Sequence, residues 1–167
     1  QRPTGRAAAF TQSFIYPTMH PPRTRAHGSR ALSDIPEGDK TITGLSPAED
    51  HIGPFYYRRT DDGLVMGFRA GEHNCNGLGT VHGGVLMCFA DYSVTMLALS
   101  GVKENCTTIS FNSDFIAAAR KGDWVSAQGE VVRRTGSMTF VNGRLTVGDD
   151  VVLTFQAVVK RLRKPDA

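Results

Sequence analysis

Asn76-Gly77-Leu78-Gly79-Thr80-Val81-His82-Gly83-Gly84 leads directly into Val85-Leu86-Met87-Cys88-Phe89-Ala90-Asp91. A glycine-rich loop feeds an apolar segment that continues to about residue 100, where Gly101 supplies a stop. Val85 to Ala90 are apolar without a gap, so the helix expected over 83–100 is buried on most of its faces rather than along one stripe. Its first turn offers bare backbone N–H groups, which favour an oxygen that is gaining negative charge. Asp91 is the only acid between residues 83 and 102. A carboxylate in such surroundings is costly without a partner or a task. Together the two ends of this stretch point to acyl chemistry.

Outward from the helix the pattern is β. Before it, Phe55–Arg59 and Leu64–Arg69 read as strands joined by the turn Thr60-Asp61-Asp62-Gly63. Ser46-Pro47-Ala48-Glu49 has an N-cap residue, a proline for the first helical position and a first-turn acid, so a short helix starts there. After the long helix come Thr107–Ile116, Trp124–Arg134, Ser137–Val147 and Val151–Arg161. The short turns Lys121-Gly122-Asp123, Thr135-Gly136 and Gly148-Asp149-Asp150 separate them, and a four-strand antiparallel meander is expected. Two strands, one long helix and four strands make an α+β layout in which one sheet wraps a single helix.

The 167 residues suit one domain, 40% of them apolar and 21% charged. The net charge of +3 is not spread evenly. Six of the 19 basic and three of the 16 acidic residues lie in 1–45, which leaves 13 of each in 46–167. The body therefore has no basic excess of the kind nucleic acid requires, and no nucleic-acid partner is expected. The proline- and arginine-rich stretch 1–45 reads as an extension, flexible or leader-like, ahead of a domain spanning 46–163 and a tail at 164–167. No apolar run is long enough for a membrane span, so no membrane association is expected. Cys75, Cys88 and Cys106 are odd in number and scattered, which fits reduced thiols in a cytoplasm; organelle import through 1–45 stays open. His73, Cys75 and His82 match no structural zinc spacing, and no metal is expected.

Asn76, Gly79, His82-Gly83-Gly84 and Asp91 in this register resemble the hot-dog-fold acyl-CoA thioesterases, in particular the phenylacetate-pathway (PaaI-type) subgroup. The resemblance covers about residues 47–163 and extends to Thr108 in the strand after the helix. It implies that two chains pair edge to edge, with dimers that further form tetramers, and that the active site lies between chains. It also implies that Asn76 and the backbone N–H of Gly83, or of Gly84, hold the thioester carbonyl oxygen. Asp91 of the other chain is then general base or nucleophile, His82 orients the loop, and Thr108 positions a water or the Asp91 carboxylate. The substrate is an acyl-CoA, and no cofactor is needed beyond the CoA it carries.

The two-chain site also follows from helix geometry. His82 and Asp91 are nine residues apart, which places them about half a turn out of phase and about 13 Å apart along the axis. One chain cannot easily aim its own Asp91 at its own helix start, whereas a symmetric dimer supplies the missing half twice.

Arg120-Lys121 and Arg133-Arg134 are candidates for the CoA phosphates, each pair lying beside a strand turn. Met87, Tyr92, Met96, Phe111 and Phe115 are read chiefly as core, with an acyl tunnel as their other use. The competing function is a non-catalytic hot-dog module that binds acyl-CoA or acyl carrier protein as a sensor or partner. A hydratase on this fold would pair the acid with a later histidine, and no histidine follows Asp91.

Overall fold

The computed structural model describes residues 35–61, 63–102 and 104–162. Most of the extension expected at 1–45 and the tail at 164–167 lie outside them. The elements run β1 (Lys40–Thr41), α1 (Pro47–Ile52), β2 (Tyr56–Thr60), β3 (Gly63–Arg69), α2 (Gly83–Ala98), β4 (Asn105–Phe115), β5 (Trp124–Arg134), β6 (Met138–Val147) and β7 (Asp150–Leu162), with a 3₁₀ turn at Glu72–Asn74. All seven strands join one antiparallel sheet in the order β1-β2-β3-β5-β6-β7-β4. This is the expected α+β sheet wrapped around one long helix.

One expectation is corrected. The last four strands are not a simple meander, because β4 pairs with β7 and not with β5. Lys121-Gly122-Asp123 is therefore no hairpin turn: the chain crosses from one edge of the sheet to its middle, and β5 docks on β3. Only β5, β6 and β7 follow one another as hairpins. The other candidate hairpin, β2–β3, forms in the expected register, with Thr60 opposite Gly63.

The core lies between α2 and the concave side of the sheet. Phe89 sits at its centre, its ring centroid 4.8 Å from that of Phe68 and 4.9 Å from that of Phe55. Tyr92 completes this aromatic cluster, 5.2 Å from Phe55. Leu86, Val94, Leu97 and Ala98 face Val125, Ala127, Val141, Leu145 and Val159, all buried. Half of α2 is buried and only Gly84, Met87 and Asp91 of it are exposed. Spaced by three and four residues, they form one open stripe along the helix.

The helix ends at Ala98, two residues earlier than the sequence pattern indicates, with Leu99 as its C-cap and Gly101 at φ 80°. Arg134 explains how the end is held. Its guanidinium donates to the carbonyls of Ala98 (2.5 Å), Leu97 (3.3 Å) and Ser100 (3.3 Å), satisfying acceptors that no helical N–H can reach. A cation here also complements the negative end of the helix dipole. Arg134→Ala is expected to cost about 1–2 kcal/mol, lowering Tm by about 3–6 °C in a thermal melt.

Candidate active site

The loop before α2 is braced by Asn76. Its side-chain oxygen accepts from the Leu78 N–H (2.9 Å) and the Thr80 N–H (3.3 Å), and its Nδ2 donates to Thr80 Oγ1 (2.9 Å). Backbone bonds from Asn76 N–H to Thr80 O and from Gly79 N–H to Asn76 O close the same turn, with Gly79 at φ 72°. Asn76 is thus first a turn former, with one of the two Nδ2 hydrogens spent on Thr80. The loop is tied to the body by buried Asn74, whose Nδ2 donates to Ile52 O of α1 (2.7 Å) and whose Oδ1 accepts from Gly71 N–H (2.8 Å).

His82 is the N-cap of α2. Its Nδ1 accepts the Gly84 N–H at 2.9 Å, so a neutral ring carries its proton on Nε2. This separates the two glycines. The Gly84 N–H is spent on the cap, while the Gly83 N–H has no acceptor among the described residues. Gly83 is therefore the donor left at the positive end of the helix. The ring of Phe115 lies over it: a Cβ on Gly83 would stand 3.1 Å from two of its ring carbons. Phe115 itself is 54% exposed, so it is not the core residue that its apolar character implies.

Asp91 lies eight residues further along α2, about 12 Å up the axis. Its Oδ1 accepts from Thr108 Oγ1 at 2.7 Å. Thr108 is on β4, paired with Val159 of β7, and the strand bulges at the next residue, Ile109. Asp91 is exposed and Thr108 half-buried, so the carboxylate is held in one orientation and left open on its other side.

A second carboxyl stands close by, and the sequence gives no sign of it. Glu49, in the first turn of α1, is near enough to α2 for its charge to act on Cys88 and Tyr92 and for that of Asp91 to act on it. Burial and then the charge of Asp91 push its carboxyl above the usual glutamate range, against a hydrogen bond with Ser46 that pulls it down. The folded protein thus holds this proton more tightly than the unfolded chain does. Glu49 weakens folding as pH climbs from the unfolded value through the folded one, and the penalty is constant above that window. Glu49→Gln is expected to raise Tm at pH 7 and to lose that advantage below pH 4, which a pair of melts would read. Burial likewise pushes up the Cys88 and Cys106 thiols, so neither is a ready nucleophile.

The four candidate phosphate ligands fall into two groups. Arg120 bridges to Thr80 in the backbone and so sits beside the glycine loop, while Lys121 pairs with Glu72. Arg133 and Arg134 are at the opposite end of α2, where Arg134 is committed to the helix cap. Among the described residues no three His, Cys, Asp or Glu side chains converge as a metal site, and no helix is long and apolar enough to cross a membrane.

One long helix cradled by a single antiparallel sheet, with a polar loop at the helix start and an acid at its middle, is the hot-dog fold. A family profile described as the thioesterase superfamily matches residues 78–154, from the glycine loop into β7. A Pseudomonas aeruginosa protein named as a candidate esterase, PA0474, is 32% identical over 130 residues, which cover 76% of this chain and 97% of the relative. Among solved structures, Escherichia coli PaaI, from the phenylacetic acid degradation operon, superposes with a TM-score of 0.56 at 19% identity, covering 60% of this chain and 72% of that one. A Streptococcus pneumoniae thioesterase-like protein solved with coenzyme A gives 0.60 at 17% identity, covering 67% and 88%. The chain belongs to the thioesterase superfamily, PaaI-like in type, and its chemistry is of the thioester-hydrolysing class.

Proposed function

We propose that the protein is an acyl-CoA thioesterase whose sites form between two copies of the chain. The observation that carries this reading is the Thr108–Asp91 hydrogen bond, because it fixes an open carboxylate against β4, a sheet edge that no other described strand pairs. Of the two edge strands, β1 has two residues and β4 has eleven. An edge as long as β4, with Ile109 and Phe115 exposed at 51% and 54%, is normally covered. Antiparallel pairing of β4 with its own copy covers it. A two-fold axis between Phe111 and Asn112 sets Thr108 opposite the partner's Phe115. Since Thr108 holds Asp91 and Phe115 lies on Gly83, that register brings each Asp91 toward the partner's helix start.

In such a site the thioester carbonyl oxygen accepts from the Gly83 N–H and from Asn76 Nδ2. Donors fixed at a developing oxyanion contribute about 3 kcal/mol each in related acyl transfers. Asp91 of the other chain takes a proton from water as the water attacks, or attacks the carbonyl carbon itself. Collapse of the tetrahedral adduct expels the CoA thiolate, a good leaving group that needs little acid assistance; on the second route water then cleaves the acyl–Asp91 anhydride to the free acid and restores the carboxylate. His82 keeps the loop in place through Gly84, and Arg120, beside that loop, is placed for a CoA phosphate. CoA as the thiol carrier draws support from the coenzyme A held by the pneumococcal protein of the same fold.

Release of free thiol from acetyl-, hexanoyl-, palmitoyl-, benzoyl- and phenylacetyl-CoA tests this. Turnover of at least one substrate supports the reading. Binding of acyl-CoA without turnover of any would replace it with a sensor or carrier-protein module.

A further inference from the structure

Between α1, α2 and the segment after β1 lies a cavity of about 250 Å³ that the catalytic scheme does not use, walled by Ile42, Thr43, Glu49, Pro54, Phe55 and Tyr92. Its size decides what can enter: an apolar cavity of about 150 Å³ already admits benzene, so this one takes a small acyl tail or a single ring. Its lining is mixed. Phe55 and Pro54 supply an apolar wall, and Glu49 and Tyr92 supply polar groups.

The Tyr92 hydroxyl is the unusual feature. Tyr92 is 7% exposed, and its hydroxyl is buried with no hydrogen-bond partner among the described residues. Buried hydroxyls are almost always paired, because leaving one unpaired forfeits its hydration with nothing in return. A phenylalanine would fill the same aromatic cluster without that cost, so the hydroxyl is explained by a partner that arrives from outside. Glu49 faces the same space and offers its carboxyl oxygens as acceptors for a hydroxyl. Burial and the Glu49 charge keep the Tyr92 phenol protonated. Tyr92 directly follows Asp91 on α2, about 100° further around the helix, and Glu49 feels the Asp91 charge, so the cavity lies on the helix face next to that of the carboxylate assigned to the chemistry.

We propose that this cavity is a specificity subsite for the far end of the acyl group, and that it selects a tail ending in a hydroxyl, which Tyr92 and Glu49 receive. The inference rests on the thioesterase reading and adds to it the class of acyl group. Tyr92 and Glu49 act here on substrate choice, not on bond cleavage.

The test compares matched pairs of CoA thioesters, butanoyl, hexanoyl and octanoyl against their ω-hydroxy counterparts, with wild type, Tyr92→Phe and Glu49→Gln. The quantity read is the ratio of kcat/KM for the hydroxylated over the plain substrate, which a general loss of activity leaves untouched. For at least one chain length, wild type is expected to favour the hydroxyl tenfold or more. Tyr92→Phe is expected to bring that ratio below three, and Glu49→Gln to lower it by a smaller factor. A wild-type ratio near one at every length, or a preference that survives Tyr92→Phe, overturns the subsite and leaves the thioesterase standing. Failure of wild type to cleave any of the six while it cleaves another acyl-CoA overturns the subsite alone; failure on these and on all five thioesters named above overturns the thioesterase reading, and the subsite with it.

Discussion

Asp91→Asn protein is expected to hydrolyse thioesters at least a hundredfold more slowly than wild type at saturating substrate, with a melting temperature no lower than that of wild type. The carboxamide is isosteric and its oxygen still accepts from the Thr108 hydroxyl, so orientation survives while basicity and nucleophilicity are lost. Asp91 is exposed and supports no core contact, so stability has little reason to fall. The same residue decides whether the site spans two chains. Asp91→Asn and Asn76→Ala proteins are each expected to be nearly inactive alone. After mixing, partial unfolding and reassociation, half of the dimers are hybrids. In a two-chain site each hybrid has one centre with both defects and one with none, so roughly a quarter of the wild-type rate returns. If Asp91 serves its own helix start, every centre carries a defect and no activity returns. The Asn76 substitution loosens the loop by removing its brace, so a melt of that variant accompanies the assay.

The residues that declared the fold did so through local periodicity. Apolar residues on all sides of 85–90 required a buried helix, and runs such as Trp124–Arg134 alternate at the strand period, so both were visible before any contact was known. The partner of β4 was not visible, because Lys121-Gly122-Asp123 has the composition of a hairpin turn, whereas pairing is decided by the sheet that closes around the helix. The Asp91–Thr108 contact agrees with one of the two roles that the family resemblance gives Thr108. Glu49 looked like an ordinary first-turn acid; only the return of α1 over α2 makes it a neighbour of Asp91. Arg134 looked like half of a basic pair, and its work on the carbonyls of Leu97 and Ala98 depends on β5 ending beside the helix C-terminus. What stayed hidden is non-local in each case: which element lies next to which, and therefore which charge meets which.

Gly143→Ala is expected to destabilise the protein by about 3 kcal/mol, lowering Tm by about 6–12 °C. The cause is space, since Gly143 does not adopt a positive φ. A Cβ built there stands 2.2 Å and 2.6 Å from two ring carbons of Phe155, its cross-strand partner, and 2.8 Å from the Gln128 carbonyl oxygen. The ring cannot step aside. Phe155 is 2% exposed and stacks on Phe111 with centroids 6.1 Å apart and planes 14° from parallel. Gly129, directly opposite Gly143, is equally short of room: its Cβ would meet the Asn142 carbonyl oxygen at 2.4 Å and Leu97 of α2 at 2.9 Å. Two facing glycines at the middle of β5 and β6 let the sheet curve tightly around the last turns of the helix. Relief of the alanine methyl would force Phe155 against Phe111 on β4, the strand that carries Thr108 and that pairs with its copy in the proposed dimer. Gly143→Ala is accordingly expected to loosen the dimer as well as the fold, so its dimer should dissociate on dilution at a higher protein concentration than that of wild type, as sedimentation would read. Gly136→Ala is the control, because a Cβ there meets nothing within 4 Å, and its stability is expected to stay within about 0.5 kcal/mol of wild type. Equal melting temperatures for the two variants would show that the concave face has slack that the Phe155 contact denies.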